Sequence, residues 1–214
     1  MNHSICKNIQ EIEEDIGNTK LVVVSKYRSL EELQTVYSCG HRDFGENRVQ
    51  ELVDKYETLP KDINWHIIGH LQTNKVKYIA PFVHLIHSVD SLKLLKTIDK
   101  EATKAGRVID FLFQMHIAQE ETKFGLSQAE LQIILESEDY TALTSVRCKG
   151  LMGMATNTED GNQIISEFTG LKATYDKYAK DFEFDILSMG MSGDYLTALD
   201  CGSSMIRIGS KIFS

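Results

Sequence analysis

Short apolar, β-branched runs alternate with segments of helical periodicity along nearly all of this 214-residue chain. That alternation limits what it can fold into more than any other feature. Ile5, Ile9, Ile12 and Ile16 recur at helical spacing, and Gly17-Asn18 stops that helix. KLVVVSK (20–26) reads as a buried strand. Ser29 with Glu32 three residues on is a capping box, opening a helix that Gly40 ends. The rhythm repeats, with strands expected at 42–46, 64–69, 83–89, 108–117, near 145–152, at 185–191 and at 204–213, and with helical segments between them. Such interleaving predicts a parallel sheet with crossover helices. Eight units are the count of a closed (β/α)8 TIM-type barrel. The alternative is an open doubly wound sheet, and no GxGxxG follows the first strand to support it. No linker interrupts the pattern, so 1–214 is expected to be a single α/β domain.

Composition excludes several classes of partner. The net charge is −8, and no basic run is long enough to offset it, so nucleic acid is not an expected partner. Lys75 and Lys77 in LQTNKVK read as a solvated helix face. No apolar run approaches membrane-spanning length, and the polar, acidic start of the chain is unlike a signal peptide. The four cysteines, Cys6, Cys39, Cys148 and Cys201, form no CxxC pair. They are expected to be reduced thiols in a cytoplasmic protein.

In a barrel, chemistry gathers where strands end and helices begin. Ser25-Lys26, Glu46-Asn47, His66, His87-Ser88, Ser192 and Arg207 all stand at expected strand ends. Lys26 there can lose its water shell and free an amine for Schiff-base formation, although a lysine after a strand is most often an exposed loop residue. Ser192-Gly193 after the seventh strand and Gly209-Ser210 near the chain end fit the recurring phosphate loops of such barrels. They fit equally well as plain turns. His66 and His70 are four apart, but HIIGH spans a strand end and a glycine, so no metal site is expected. His84 and His87 are read as structural or surface residues. Met152, Met154, Met189 and Met191 are read as core filler.

The blocks VVVSKYRSLEEL, DFGENRVQE, WHIIGHLQTNKVKYI, HSVDS, KFGLS, GLMGMA, LSMGMSGDYLTAL and MIRIGSKIF follow one another from about Leu21 to Phe213. Together they resemble the YggS/PROSC family of pyridoxal 5′-phosphate (PLP) homeostasis proteins, whose fold is the alanine racemase N-terminal-domain barrel. The resemblance implies an internal aldimine on Lys26, Arg207 facing the pyridine nitrogen, and phosphate binding by Ser192, Gly209 and Ser210. It places Asn47, His66 and Met189 around the cofactor. This chain departs from the family in lacking a proline soon after Lys26, in having Ser210 for a common threonine, and in carrying Lys211 and a terminal Ser214.

The resemblance implies a role in vitamin B6 homeostasis, with PLP held for apo PLP-dependent enzymes. It also implies a monomer. An arginine can only donate, so Arg207 at the ring nitrogen would leave it unprotonated and weaken the ring as an electron sink. Broad carbanion chemistry such as transamination is therefore disfavoured, and racemisation would still need a second base opposite Lys26, so substantial turnover is not expected. The alternative is an amino-acid racemase of low activity, with Lys26 as one base and an unusual second base, for which Tyr27 or Tyr195 could substitute although both are read as packing or surface residues. A barrel enzyme forming a Schiff base without PLP is the remaining reading.

Overall fold

A computed structural model describes residues 2–120 and 123–214. The strands β1 (Lys20–Val24), β2 (Asp43–Glu46), β3 (Asn64–Ile67), β4 (Leu85–Val89), β5 (Ile109–Met115), β6 (Val146–Gly153), β7 (Ile186–Ser188) and β8 (Met205–Ile208) pair in sequence order. β1 also pairs in parallel with β8, through Lys20–Met205 to Val23–Ile208, and this closes the barrel. The open-sheet alternative is thereby removed.

The helices that follow the strands are α2 (Leu30–Ser38), α3 (Val49–Thr58), α4 (Val76–Ile79), α5 (Leu92–Lys104), α6 (Gln128–Leu135) with the short α7 (Glu138–Thr141), α8 (Gly161–Ala179), α9 (Tyr195–Asp200) and α10 (Ser210–Phe213). Ahead of the barrel, α1 (Asn2–Ile16) buries its isoleucine stripe and packs on α2, α9 and α10. Ser29 caps α2 in the capping box expected, and Ser127 caps α6 in another. Among the described residues, no helix is long and apolar enough to cross a membrane.

Strand pleating divides the core. Leu21, Val23, Phe44, Trp65 and Ile67 face outward into the main core under the helices. Val22, Leu85, Leu112, Met152 and Met205 form a separate apolar cluster in the barrel. Buried polar side chains share that interior with them.

Three expectations need correction. The seventh strand stops at Ser188 rather than running to 191, because Gly190 adopts a φ of +98° and turns the chain. A side chain at Gly190 would also strike Ala198. The eighth strand stops at Ile208, and 210–213 fold as α10. Cys6 and Cys39 are not reduced thiols. They form a disulfide between α1 and the end of α2, with Cα atoms 5.5 Å apart, while Cys148 and Cys201 are free. Their 33-residue separation gave no sign of the pairing, which depends on how α1 docks.

Candidate functional site

The C-terminal mouth of the barrel holds a cavity of about 550 Å³, within the size range of small-ligand sites. Lys26, Ser192, Arg207, Gly209 and Ser210 all line it, together with Val24, Tyr27, Arg28, Met191 and Gly193. Segments from opposite ends of the sequence meet here because β8 lies against β1.

Lys26 stands just beyond β1 and is exposed at the rim, so the desolvation expected of it is not found. Its backbone is nevertheless held firmly. The Ser25 hydroxyl lies 2.6 Å from Glu46 Oε1 and 3.1 Å from the Gly45 carbonyl. Lys55 Nζ donates to the Ser25 carbonyl at 2.9 Å. Tyr27 then takes a φ of 61°, a left-handed conformation that costs a side-chain-bearing residue roughly 1–2 kcal/mol. The turn closes with the Arg28 N–H donating to the Ser25 carbonyl.

Across the cavity, the Gly209 N–H donates to Ser192 Oγ at 3.4 Å, joining the loop after β7 to the start of α10. Gly209 approaches β1 so closely that a Cβ would lie 3.2 Å from Val24 Cβ. The N–H groups that open a helix have no partner within it. With the hydroxyls of Ser192 and Ser210, they make this side of the cavity suited to an anion.

Arg207 is buried beneath the cavity. Its Nη1 donates to Ser188 Oγ at 2.7 Å and its Nη2 to the Gly153 carbonyl at 3.1 Å. Among the described residues, the hydrogen bonds of Arg207 are made by Nη1 and Nη2 and none by Nε. Burial pushes the guanidinium pKa down to about 10, with Asp194 pulling it back up, so it stays charged at neutral pH.

The other expected residues lie elsewhere. Met189 is fully buried in the main core. Asn47 follows β2 and packs its backbone against Gly69. His66 is buried in the barrel interior, bonded to Asp43 and His87. None of the three lines the cavity. Met191, read as core filler, does line it. Ser188 escaped the sequence reading as the partner of Arg207, although inward pleating on β7 and β8 was the available signal.

Donor atoms of Asp43, His66 and His84 lie within 4.8 Å of one another at the opposite end of the barrel. A cation is already present there, since Lys20 Nζ is 2.9 Å from Asp43 Oδ1. His70 turns outward to Asp90 and Phe124, away from His66.

The donor set at the C-terminal mouth fits PLP. It offers an amine for the aldehyde, hydroxyls and the N–H groups at the start of α10 for the phosphate, and an arginine donor for the ring nitrogen.

Residues 3–214 match the model of the alanine racemase N-terminal domain. The pyridoxal phosphate homeostasis protein of Aquifex aeolicus is 39% identical over 198 residues, covering 91% of this chain and 86% of that protein. Its counterpart in Helicobacter pylori is 38% identical, with the same coverage. The structure of PipY from Synechococcus elongatus PCC7942 with PLP bound has a TM-score of 0.89 at 29% identity, covering 98% of this chain and all of that one. With this barrel and this degree of likeness, the chain belongs to the alanine racemase N-terminal domain family and, within it, to the pyridoxal phosphate homeostasis proteins.

Proposed function

We propose that this protein holds PLP reversibly in the cavity at the C-terminal mouth of its barrel and serves intracellular PLP homeostasis without substantial turnover of amino acids. The observation that carries this reading is the convergence of Lys26, Arg207 and the Ser192/Gly209/Ser210 cradle on one cavity. The names of the relatives and the PLP-bound PipY structure support it.

Bound PLP supplies an electron sink whose strength depends on the charge at its ring nitrogen. The protein's own residues set the rest. Lys26 offers its Nζ to the aldehyde carbon from a firmly held backbone. The loops after β7 and β8 take the phosphate. Arg207 is fixed through Ser188 and Gly153 and can only donate to the ring nitrogen. Among the described residues, Arg207 hydrogen-bonds Ser188 and the Gly153 carbonyl and no carboxylate.

Racemisation needs a second base opposite Lys26. Tyr195 is committed elsewhere, since its hydroxyl donates to Asp15 at 2.7 Å and accepts from Lys211 at 2.9 Å. Tyr27 lines the cavity rim but is 73% exposed. It is the residue on which the low-activity racemase reading depends. Incubating the PLP-loaded protein with alanine in deuterium oxide separates the readings. The carrier role predicts negligible exchange at Cα, whereas steady exchange that Tyr27→Phe abolishes would establish the racemase.

The proposal extends to a cytoplasmic monomer that yields its PLP to apo-enzymes. Transfer from loaded protein to an apo-aminotransferase, with a free-PLP scavenger present, tests the delivery step.

A further inference from the structure

A continuous line of hydrogen bonds crosses the inside of the barrel, from the cofactor cavity to the opposite mouth. Arg207 Nη1 meets Ser188 Oγ at 2.7 Å, and Ser188 Oγ meets His87 Nδ1 at 3.2 Å. His87 Nε2 meets His66 Nδ1 at 2.9 Å, and His66 Nε2 meets Asp43 Oδ1 at 3.0 Å. Asp43 Oδ1 also accepts from Lys20 Nζ at 2.9 Å. Ser188, His87 and His66 are completely buried. The line passes through side chains of β8, β7, β4, β3 and β2 that all point inward.

Its direction follows from donor and acceptor chemistry. Asp43 is ionised and can only accept, so His66 must carry a proton on Nε2. Burial holds His66 neutral, with its pKa lowered to about 4, which leaves Nδ1 bare. A bare Nδ1 must accept, so His87 carries its proton on Nε2. Burial keeps His87 neutral too, so its Nδ1 must accept from the Ser188 hydroxyl. Ser188 Oγ in turn accepts from Arg207, which can only donate. The reverse arrangement would set a bare His66 Nε2 against a carboxylate and leave the Ser188 proton without an acceptor, both in a buried site where an unmade bond costs most.

The geometry points to His66 and His87 as positioning residues: two neutral imidazoles, each protonated on Nε2, that link the Arg207 guanidinium to the Asp43 carboxylate through a one-way hydrogen-bond line and so fix how Arg207 is presented to the cavity. Each donor in the line points from Arg207 towards Asp43. Neighbouring bonds of this kind polarise one another in the same sense. Loss of Asp43, which touches neither Arg207 nor the cavity, is therefore felt at Arg207.

The tautomer assignment stands apart from the proposed function, while the consequence for PLP rests on it. The test uses protein labelled with 15N in histidine and arginine, free and PLP-loaded. Long-range proton–nitrogen correlation of the wild type is expected to show two slowly exchanging imidazoles, both in the Nε2–H form. They are assigned by their loss in His66→Gln and His87→Gln, or by nuclear Overhauser contacts if those variants do not fold. Asp43→Ala is expected to shift the Arg207 Nε resonance and to weaken PLP binding about three- to thirtyfold, while inorganic phosphate binds as before. Either imidazole found as the Nδ1–H tautomer or as imidazolium overturns the inference, as does an Arg207 resonance unmoved by Asp43→Ala. If the tautomers are as stated but the wild type takes up no PLP, the functional reading fails and the line stands.

Discussion

Lys55 Nζ on α3 lies 2.6 Å from Glu46 Oε1 at the end of β2, and the pair sits directly beneath the turn that carries Lys26. The carboxylate is completely buried and, among the described residues, its second oxygen, Oε2, has no partner. Burial pushes the Glu46 carboxyl pKa up, against the pull of Lys55 and Ser25. Removing one member of such a pair leaves the other charge stranded. Lys55→Met is expected to lower the unfolding free energy by about 3–5 kcal/mol, and adding Glu46→Leu should recover much of it. Urea titration checks both. A single variant as stable as the wild type would contradict this account of the pair.

The Cys6–Cys39 bridge closes a 33-residue loop through α1, β1 and α2. Cross-linking a loop of that length is expected to add about 3–4 kcal/mol by restricting the unfolded chain. Reductant, or Cys6→Ser, should lower the unfolding free energy by that order. Thiol titration of the denatured, unreduced protein should find Cys148 and Cys201 and not the other two. Four reactive thiols in freshly purified protein would contradict the bridge.

Stability should fall in mild acid through the buried histidines. His66 has its pKa lowered by burial from 6.5 to about 4. A group depressed in the folded state stabilises above its unfolded pKa and loses that contribution as pH falls through the folded one. The window for His66 therefore runs from pH 6.5 down to about 4. Complete loss there amounts to about 3 kcal/mol. His87, also depressed, acts in the same direction. Urea midpoints taken across this range should drop, with a shallower slope in His66→Gln. A flat profile would contradict the neutral, buried state assigned to these rings.

Ser210 contributes a hydroxyl at the first position of α10, beside Gly209. Ser210→Ala is expected to weaken PLP binding by about 1–3 kcal/mol, and Ser210→Thr, which keeps the hydroxyl, should bind close to wild type. Fluorescence titration measures both. Unchanged affinity in the alanine variant would remove Ser210 from the phosphate cradle.

The barrel was legible because burial of parallel strands and amphipathic helices writes two distinct periods into a sequence. Val22–Val24 and the Ile5, Ile9, Ile12, Ile16 stripe are examples. The places where strands give way were less legible. Ser192 falls beyond β7 because of a backbone turn at Gly190, and β8 gives way to α10 at Gly209, neither of which alters the apolar pattern. The cavity set of Lys26, Ser192, Arg207, Gly209 and Ser210 could be named from motif resemblance. The line from Arg207 to Asp43 could not, because it depends on which residues of five strands share the barrel interior at neighbouring heights. The Cys6–Cys39 bridge was hidden for a similar reason, since the docking of α1 on α2 leaves no spacing signature.

The most direct test of the central claim is the visible absorption spectrum of the purified protein, before and after PLP addition and borohydride reduction, followed by peptide mass mapping. A yellow band that reduction abolishes, with a single pyridoxyl adduct on Lys26 that Lys26→Ala eliminates, is the predicted result. A protein that remains colourless in excess PLP, or that carries the adduct on a different lysine, would contradict it.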